Sequence, residues 1–360
     1  MRVLIVRPTA LGDVCRTVPA LVTLRRAMPD ARIDWLVHDD FADAVRHHPD
    51  LDDVVTFPRR QLGRTLKTGR AAGRAMRWLG DLRRRRYDLA IDLQGLFRSG
   101  LITRLTSAQR RVGYANAREF AWLGYNRRHA VERTLHTVDR MLTLLEADGY
   151  TPQRDMRLYV GDEERQWLDG WLQEHSVADG RFACLAPTAK WRCKCWPIEK
   201  YVHIAQRLLD CGTAGRTIAV LHSPGEQAQV KALAALGPSI IFPQTTVGQL
   251  LALISRTSLL VCNDSAPLHI AVAFDRPIVT IYGPTDPAQV GPYRRDESVV
   301  RPDAALNGRK VRYRSRRDDQ SLIDCVSVDQ VWETLQEQIK GKATRHGGQA
   351  PRRSDGATKG

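Results

Sequence analysis

Acidic, basic and hydroxyl side chains cluster in four turns of the sequence, and chemistry is expected there. In the first turn, residues 7–21 (RPTALGDVCRTVPAL), Asp13 follows Gly12 at the start of a predicted helix, where the helix dipole favours the ionised carboxylate. Taken alone, this position favours the simpler interpretation of a helix N-cap. The turn lacks a G-x-G-x-x-G pattern, which argues against a dinucleotide-binding fingerprint.

The second turn, residues 92–102 (DLQGLFRSGLI), is polar directly after a buried strand. It contains Gln94, Gly95, Arg98 and Ser99. These residues either bind a ligand or form the turn itself with one surface arginine. The sequence of this turn leaves both interpretations open.

The third turn, residues 186–197 (APTAKWRCKCWP), carries several hydrogen-bond donors after a strand, namely Thr188, Lys190, Arg192 and Lys194. Donors grouped at a strand end can hold phosphate oxygens, and each charge-assisted bond contributes about 1.5–3 kcal/mol. The two cysteines of the turn have neither zinc-site spacing nor a second Cys/His pair, which favours surface thiols.

The fourth turn, CNDSAPLHIA at 262–271, closes one predicted strand and opens a helix. Asp264 and Ser265 stand at the start of that helix, whose free amides can receive a phosphate group. His269 lies further along, and a single histidine on a helix is usually a packed, hydrogen-bonded one. Glu226, in the segment HSPGEQAQV, starts another predicted helix at the same sheet edge.

Alternating strands and helices are expected to position these turns. Apolar runs predict strands at 3–6, 33–37, 54–57, 89–93, 183–186, 218–221, 240–242, 259–262 and 278–281. Helical patterns lie between them, among others at 16–28, 41–48, 61–86 and 130–148. Such alternation indicates parallel sheets with right-handed crossovers. The series is interrupted at 149–162, which predicts a linker between two doubly wound α/β domains.

The four turns fall at the carboxyl ends of predicted strands, where open parallel sheets bind ligands. Two such domains facing one cleft would bring carboxylates and phosphate-type donors together. This combination suits a transferase that binds a nucleotide in one domain and an acceptor in the other.

Positive charge is concentrated in one stretch of the chain. The 360 residues include 55 Lys and Arg against 40 Asp and Glu, a formal net charge of +15. Residues 59–86 hold eleven basic residues and a single acid, Asp81, with basic and apolar residues at helical spacing on opposite sides. Solvated helix faces usually mix signs, so a stripe of one sign predicts an anionic partner.

The overall composition excludes several protein classes. An apolar fraction of 43% and a charged fraction of 26% are those of soluble globular proteins. No apolar run approaches the roughly 18 residues of a membrane span. Seven cysteines without an export signal fit a reducing compartment, so we expect a cytoplasmic protein. Residues 341–360 lack large apolar side chains and are predicted to form a disordered basic tail.

The motifs together resemble the bacterial heptosyltransferases that build the lipopolysaccharide inner core, the glycosyltransferase family 9 enzymes of GT-B fold. The resemblance rests on GDVxxTxPAL at 12–21, YDLAIDLQGLFRSG at 87–100, AREFAWLGYNRRHAVE at 117–132, KCWP at 194–197, PGE at 224–226, NDSAPLHIA at 263–271 and YGPTDP at 282–287. The middle of the first domain, with DLQGL, the basic helix and YNRRHAVE, resembles heptosyltransferase I more than heptosyltransferase II. The resemblance implies inverting transfer of heptose from ADP-L-glycero-D-manno-heptose to a Kdo sugar, without metal or cofactor.

The resemblance also implies roles for individual residues. Asp13 is similar to the general base that takes the acceptor hydroxyl proton. In the donor domain, 161–340, Lys194 resembles the pyrophosphate lysine, Glu226 the acid on the ribose and Asp264 the aspartate on the donor sugar. The full implied donor site is Thr188, Lys194, Glu226, Asp264, Ser265, Ala266 and His269. The acceptor domain, 1–160, would contact the acceptor through Arg59, Arg60, Arg98 and Arg118.

An anionic lipid-linked acceptor agrees with the charge pattern, because arginine binds carboxylates and phosphates bidentately. The basic helix could also hold the enzyme peripherally against the inner face of the cytoplasmic membrane. One alternative keeps the fold with a UDP- or GDP-linked sugar. A second is a non-catalytic polyanion-binding protein. The stacking aromatics of a single-strand binder are missing from the basic stretch, which has only Trp78 and Tyr87, so no nucleic-acid partner is expected.

Overall fold

The first half of the protein is built on a six-stranded parallel sheet. The computed structural model describes residues 1–57, 69–212, 215–302 and 321–346. The strands follow the order β3-β2-β1-β4-β5-β6, which is the doubly wound arrangement. They are β1 (Arg2–Val6), β2 (Arg32–His38), β3 (Asp53–Phe57), β4 (Leu89–Asp92), β5 (Arg110–Tyr114) and β6 (Arg127–His129). The helices are α1 (Leu11–Ala27), α2 (Gly69–Arg84), α3 (Phe97–Leu105) and α4 (Thr137–Ala147).

The second half repeats this architecture. Its strands follow the order β12-β11-β10-β7-β8-β9, again all parallel. They are β7 (Phe182–Ala186), β8 (Thr217–Val220), β9 (Ile240–Ile241), β10 (Leu259–Asn263), β11 (Ile278–Ile281) and β12 (Val299–Val300). The helices are α5 (Asp162–Glu174), α6 (Ile198–Cys211), α7 (Gln227–Val230), α8 (Val247–Arg256), α9 (Ala266–Ala273), α10 (Pro287–Val290), α11 (Ser321–Asp324) and α12 (Val328–His346).

Alternation along β1 explains why its sequence is a continuous apolar run. Val3 and Ile5 face one core, which contains the buried residues of α1 and α4. Leu4 and Val6 face the other, with Leu82 of α2 and Ile102 of α3. Because helices cover both faces of the sheet, both alternating sets of side chains from Val3 to Val6 are apolar.

The two halves meet where α1 lies against α9. A Cβ at Gly12 would stand 2.7 Å from the ring of His269, so only glycine allows this approach. Polar contacts continue the junction: His136 Nε2 lies 3.1 Å from the carbonyl of Gly291, and the hydroxyl of Tyr293 donates to Asp139 at 2.7 Å. The junction therefore brings the amino ends of α1 and α9 to one cleft.

All nine predicted strands are present, and three further strands are not in the sequence-based prediction. The missed strands are β5, β6 and β12. β5 and β6 begin with arginine pairs and β6 lies at the sheet edge, so they lack the apolar run that marks a buried strand.

Two helix predictions and the predicted tail need correction at their bounds. The segment 41–48 is not an α-helix but contains the short 3-10 turn Asp39–Ala44. The helix predicted over 130–148 begins at Thr137. The last helix continues to His346, six residues into the predicted tail, because this polar stretch still contains good helix formers such as Lys342 and Ala343. Within the described ranges, no helix is both long and apolar enough to span a bilayer.

Candidate active site

A cleft of about 900 Å³ lies between the two halves. The first half contributes the amino end of α1. The second half contributes the segments that follow β7, β8 and β10, together with the start of α9. The residues that line the cleft include Gly12, Asp13, Arg16, Thr188, Lys190, Lys194, Glu226, Asp264, Ser265, Ala266 and His269. The structure therefore gathers Asp13 and the whole predicted donor set around one cavity.

Asp13 stands in the first turn of α1 between two arginines. Its carboxylate lies 3.2 Å from Arg7 Nη2 and 2.5 Å from Arg16 Nη2, and it accepts from the amide of Ala10 at 3.2 Å. Burial alone would raise the pKa of Asp13, but the charges of Arg7 and Arg16 outweigh it and hold the pKa well below its usual range. The side chain is 27% exposed, toward the cleft. It is therefore an ionised carboxylate at neutral pH.

Arg16 links this carboxylate to the opposite half. It is 7% exposed, and its Nη1 donates to the carbonyl of Val290 at 3.1 Å while its Nη2 contacts Asp13. The same side chain thus orients Asp13 and bridges the junction. Arg16 is not among the site residues predicted from the sequence, although its position three residues after Asp13 places it on the same helix face.

Lys194 and Asp264 form an ion pair on the second half of the cleft. The Lys194 Nζ lies 2.5 Å from Asp264 Oδ2, and the two side chains are only 15% and 9% exposed. Lys194 ends the 3-10 turn Arg192–Lys194, and Asp264 follows β10 directly. The pair puts a cation and an anion beside the amino end of α9, where unpaired amides favour a negatively charged ligand.

The buried side chain of Asn263 holds the donor loops together. Its Nδ2 donates to the carbonyl of Pro187 at 2.6 Å, and its Oδ1 accepts from the amide of Trp196 at 3.2 Å and the hydroxyl of Tyr201 at 3.1 Å. One amide thus fixes the loops that carry Thr188, Lys194 and Asp264. Asn263 begins the motif NDSAPLHIA, but only these contacts show that it positions the loops.

Glu226 and His269 occupy different parts of the cleft. Glu226 Oε2 accepts from the amide of Ser223 at 2.9 Å, which fixes the loop after β8 and leaves the carboxylate at the cavity wall. His269 is 4% exposed and packs against Gly12 at the domain junction. Burial, with the nearby charge of Arg16, lowers the pKa of His269 well below its usual value, so the ring is neutral.

Of the four predicted acceptor arginines, the two that the structure describes, Arg98 and Arg118, do not line this cavity. Arg98 on α3 and Arg118 in the loop after β5 are exposed, and the amide of Arg118 donates to the carbonyl of Gly95 at 3.1 Å. They lie at the carboxyl edge of the first sheet, outside the lining. Arg59 and Arg60 fall outside the described residues.

A second group of arginines near Asp13 was missed by the sequence analysis. Arg7 is 7% exposed and Arg140 is half-buried over the ring of Tyr114, with 5.3 Å between Cζ and ring centroid. Burial lowers the pKa of Arg140; Tyr114 opposes this shift, and the charges of Arg7, Arg118 and Arg133 add to it. The buried Nε atoms of Arg7 and Arg140 have no hydrogen-bond partner. Crowded cations of this kind suit an anionic ligand.

The sequence and the fold of this chain are similar to those of known proteins. The profile of glycosyltransferase family 9 (heptosyltransferase) matches residues 76–318. Lipopolysaccharide heptosyltransferase 1 of Escherichia coli (strain K12) is 28% identical over 306 residues, which are 84% of this chain and 93% of that protein. The Pseudomonas aeruginosa enzyme of the same name is 29% identical over 332 residues, 90% of this chain and 91% of that protein.

Solved structures show the same likeness. The E. coli heptosyltransferase WaaC with ADP matches with a TM-score of 0.76 at 26% identity, over 94% of this chain and 100% of that one. Its complex with ADP-2-deoxy-2-fluoro heptose matches with a TM-score of 0.75 at 26% identity, over 94% and 99% of the two chains.

The two doubly wound halves and their shared cleft define a glycosyltransferase of GT-B fold. The chain belongs to glycosyltransferase family 9, the heptosyltransferases. The non-catalytic polyanion-binding alternative is therefore not supported.

Proposed function

We propose that this enzyme transfers heptose from ADP-L-glycero-D-manno-heptose to a Kdo residue of the lipopolysaccharide inner core, with inversion at the anomeric carbon. The observation that carries the proposal is the opposition of Asp13 to the Lys194–Asp264 pair across one cleft. Support for the donor comes from relatives named lipopolysaccharide heptosyltransferase 1 and from the WaaC complexes with ADP and a fluorinated ADP-heptose.

The proposed reaction is a single displacement. The acceptor hydroxyl oxygen attacks the anomeric carbon, the bond from that carbon to the β-phosphate oxygen breaks, and ADP leaves with the bonding pair. The hydroxyl proton passes to Asp13. A carboxylate with a depressed pKa is a weak base toward a free hydroxyl, so the proton moves as the new carbon–oxygen bond makes that hydroxyl acidic. A positioned base of this kind contributes about 10²–10⁴-fold to the rate.

The second half, within residues 161–340, would bind the donor. Lys194, the hydroxyl of Thr188 and the amides of Ser265 and Ala266 at the amino end of α9 suit the diphosphate, because they combine a cation with oriented donors. Asp264 would then orient the donor sugar. Glu226 would accept from ribose hydroxyls, and neutral His269 would complete the wall beside Asp13.

The first half, within residues 1–160, would bind the acceptor. The crowded guanidinium groups of Arg7 and Arg140 suit a sugar carboxylate, and Arg98 and Arg118 extend positive charge outward along the sheet edge. Arg59 and Arg60 belong to the same proposal through the family resemblance. A lipid-linked acceptor places the working site at the inner face of the cytoplasmic membrane.

Replacing Arg140 by methionine tests the acceptor side, because methionine keeps much of the length and removes the charge. The KM for a Kdo-containing acceptor should rise about 10–100-fold, as expected for one lost charge-assisted contact. ADP affinity should stay unchanged. Arg165→Met, an exposed arginine on α5, is the matched control. An unchanged acceptor KM in Arg140→Met would remove this residue from the acceptor site.

Calorimetric titration with ADP, UDP and GDP in parallel tests the donor. The proposal predicts that ADP binds most tightly. A preference for UDP or GDP would keep the fold and the base but change the donor nucleotide. Failure to bind any of the three would contradict the assignment of the second half as the donor domain.

A further inference from the structure

Exposed large apolar side chains are concentrated on one face of the first half. Among the described residues, such side chains are Met1, Met76, Phe97, Leu101, Phe120 and Leu123. All except Met1 belong to α2, α3 or the segment around the turn Ala121–Gly124. Phe97, Leu101, Phe120 and Leu123, called here the apolar patch, are 54%, 44%, 70% and 60% exposed. Grouped exposed apolar side chains of this kind mark a contact with a partner or a membrane.

The two segments that carry the apolar patch are packed tightly against each other. α3 and the turn Ala121–Gly124 approach so closely that a Cβ at Gly100 or at Gly124 would collide with the backbone of the other segment. The amide of Phe97 donates to the Glu119 carboxylate at 3.2 Å. Phe97 and Leu101 are one helical turn apart and thus share a face of α3.

The backbone holds Phe120 in a conformation that bulky residues rarely adopt. Glu119 and Phe120 have φ values of +55° and +59°, in the left-handed region. This pair leaves the Phe120 ring as the most exposed large apolar side chain of the described chain. Strained backbone conformations persist where the surrounding structure holds them, and they cluster at active sites, ligand contacts and switch regions.

The surroundings of the apolar patch are positively charged. Arg98, Arg104, Arg118 and Arg128 are all exposed, and Arg128 stacks over Trp122 with 5.1 Å between Cζ and ring centroid. The stretch 96–128 contains one acidic residue, Glu119. On the same face of the sheet, α2 adds Met76, 68% exposed, beside Arg74 and Arg77.

From this geometry we infer that α2, α3 and the segment 118–128 form the surface by which the protein lies on an anionic lipid leaflet. Aromatic and aliphatic side chains enter the interface while arginines bind lipid phosphates. A second copy of the chain fits poorly, because a symmetric contact through this face would set arginine against arginine. This inference deepens the proposed function, since a lipid-linked acceptor presents its sugar at a membrane.

The position of the surface relative to the cleft is consistent with that use. The amide of Arg118 donates to the carbonyl of Gly95, and the Gln94 carboxamide accepts from the amide of Thr9 at 3.3 Å, close to the amino end of α1. The apolar patch therefore begins at the same sheet edge as Asp13. A protein lying on this face would bring the cleft edge close to lipid headgroups.

Vesicle flotation with the full chain tests the inference without donor or acceptor. Wild-type protein should bind vesicles of phosphatidylglycerol and phosphatidylcholine, bind pure phosphatidylcholine weakly, and be released by salt. The double variant Phe120→Ser, Leu123→Ser should lose affinity about tenfold or more. Arg104→Gln should lose it several-fold, whereas Arg165→Gln on the second half should not.

Retained ADP affinity in every variant would show that the fold is intact. Equal flotation of the double variant and wild type would overturn the inference. So would equal binding to neutral and anionic vesicles, or a self-association in sedimentation velocity that the double variant abolishes. Transfer to a short, lipid-free acceptor separates the two claims: a loss of transfer with normal flotation counts against the proposed function alone, and normal transfer without flotation counts against this surface alone.

Discussion

Asp13→Asn is expected to lower the rate of sugar transfer by about 10²–10⁴-fold while ADP affinity stays at the wild-type level. Asparagine keeps the size of the side chain and can still accept from Arg16, but it cannot take the acceptor proton. The proposal assigns the nucleotide to the other half of the cleft, so the affinity for ADP should not change. Single-turnover rates and calorimetry with ADP measure the two effects separately.

The pH dependence sharpens this prediction. Because Arg7 and Arg16 hold the pKa of Asp13 well below its usual range, the base form is present from neutral pH down to about pH 5. The wild-type rate should therefore show no loss from Asp13 protonation in that window. Asp43→Asn, a half-exposed aspartate of the same half that pairs with Arg46, is the matched control. Normal transfer by Asp13→Asn would refute the base assignment.

Lys194→Gln is expected to weaken ADP binding by about 10–100-fold, the effect of losing one charge-assisted contact to a phosphate group. Binding of adenosine, which lacks phosphate, should not change. Lys231→Gln, an exposed lysine of the same half that does not line the cleft, is the control. Isothermal titration of the wild type and both variants with ADP, AMP and adenosine measures these effects.

The ion pair with Asp264 requires a further control. Both side chains are largely buried. Replacing Lys194 leaves the Asp264 carboxylate without its counter-charge, which lowers the stability of the protein. The double variant Lys194→Gln, Asp264→Asn removes that imbalance. If ADP affinity returned in the double variant, the single variant would have acted through Asp264 rather than through a lost phosphate contact.

The sequence predicts the central part of the fold because central strands must be apolar on both faces. β1, β4, β7 and β10 are continuous apolar runs, and the polar turns after β1, β7 and β10 line the observed cleft. The proximity of Lys194 and Asp264 follows from this pattern, since carboxyl ends of parallel strands in one sheet share an edge. Asp13 belongs to the other sheet and meets them because both halves line one cleft.

What the sequence does not show are features that depend on pairs of distant segments. The strands β5 and β6 begin with arginines, so they lack the apolar run that would predict them from the local sequence. The buried Arg7 and the half-buried Arg140 resemble surface residues in sequence, and their crowding appears only when β1 and α4 are placed together. The need for glycine at position 12 likewise arises from His269, more than 250 residues away.

The most direct test of the central claim is the transfer reaction itself. Wild-type protein, ADP-heptose and a Kdo glycoside should yield ADP and a product heavier by one heptosyl unit, with the anomeric configuration of the new linkage inverted relative to the donor by NMR. A protein that binds ADP but forms no heptosyl product, or forms one with retained configuration, would contradict the proposed reaction.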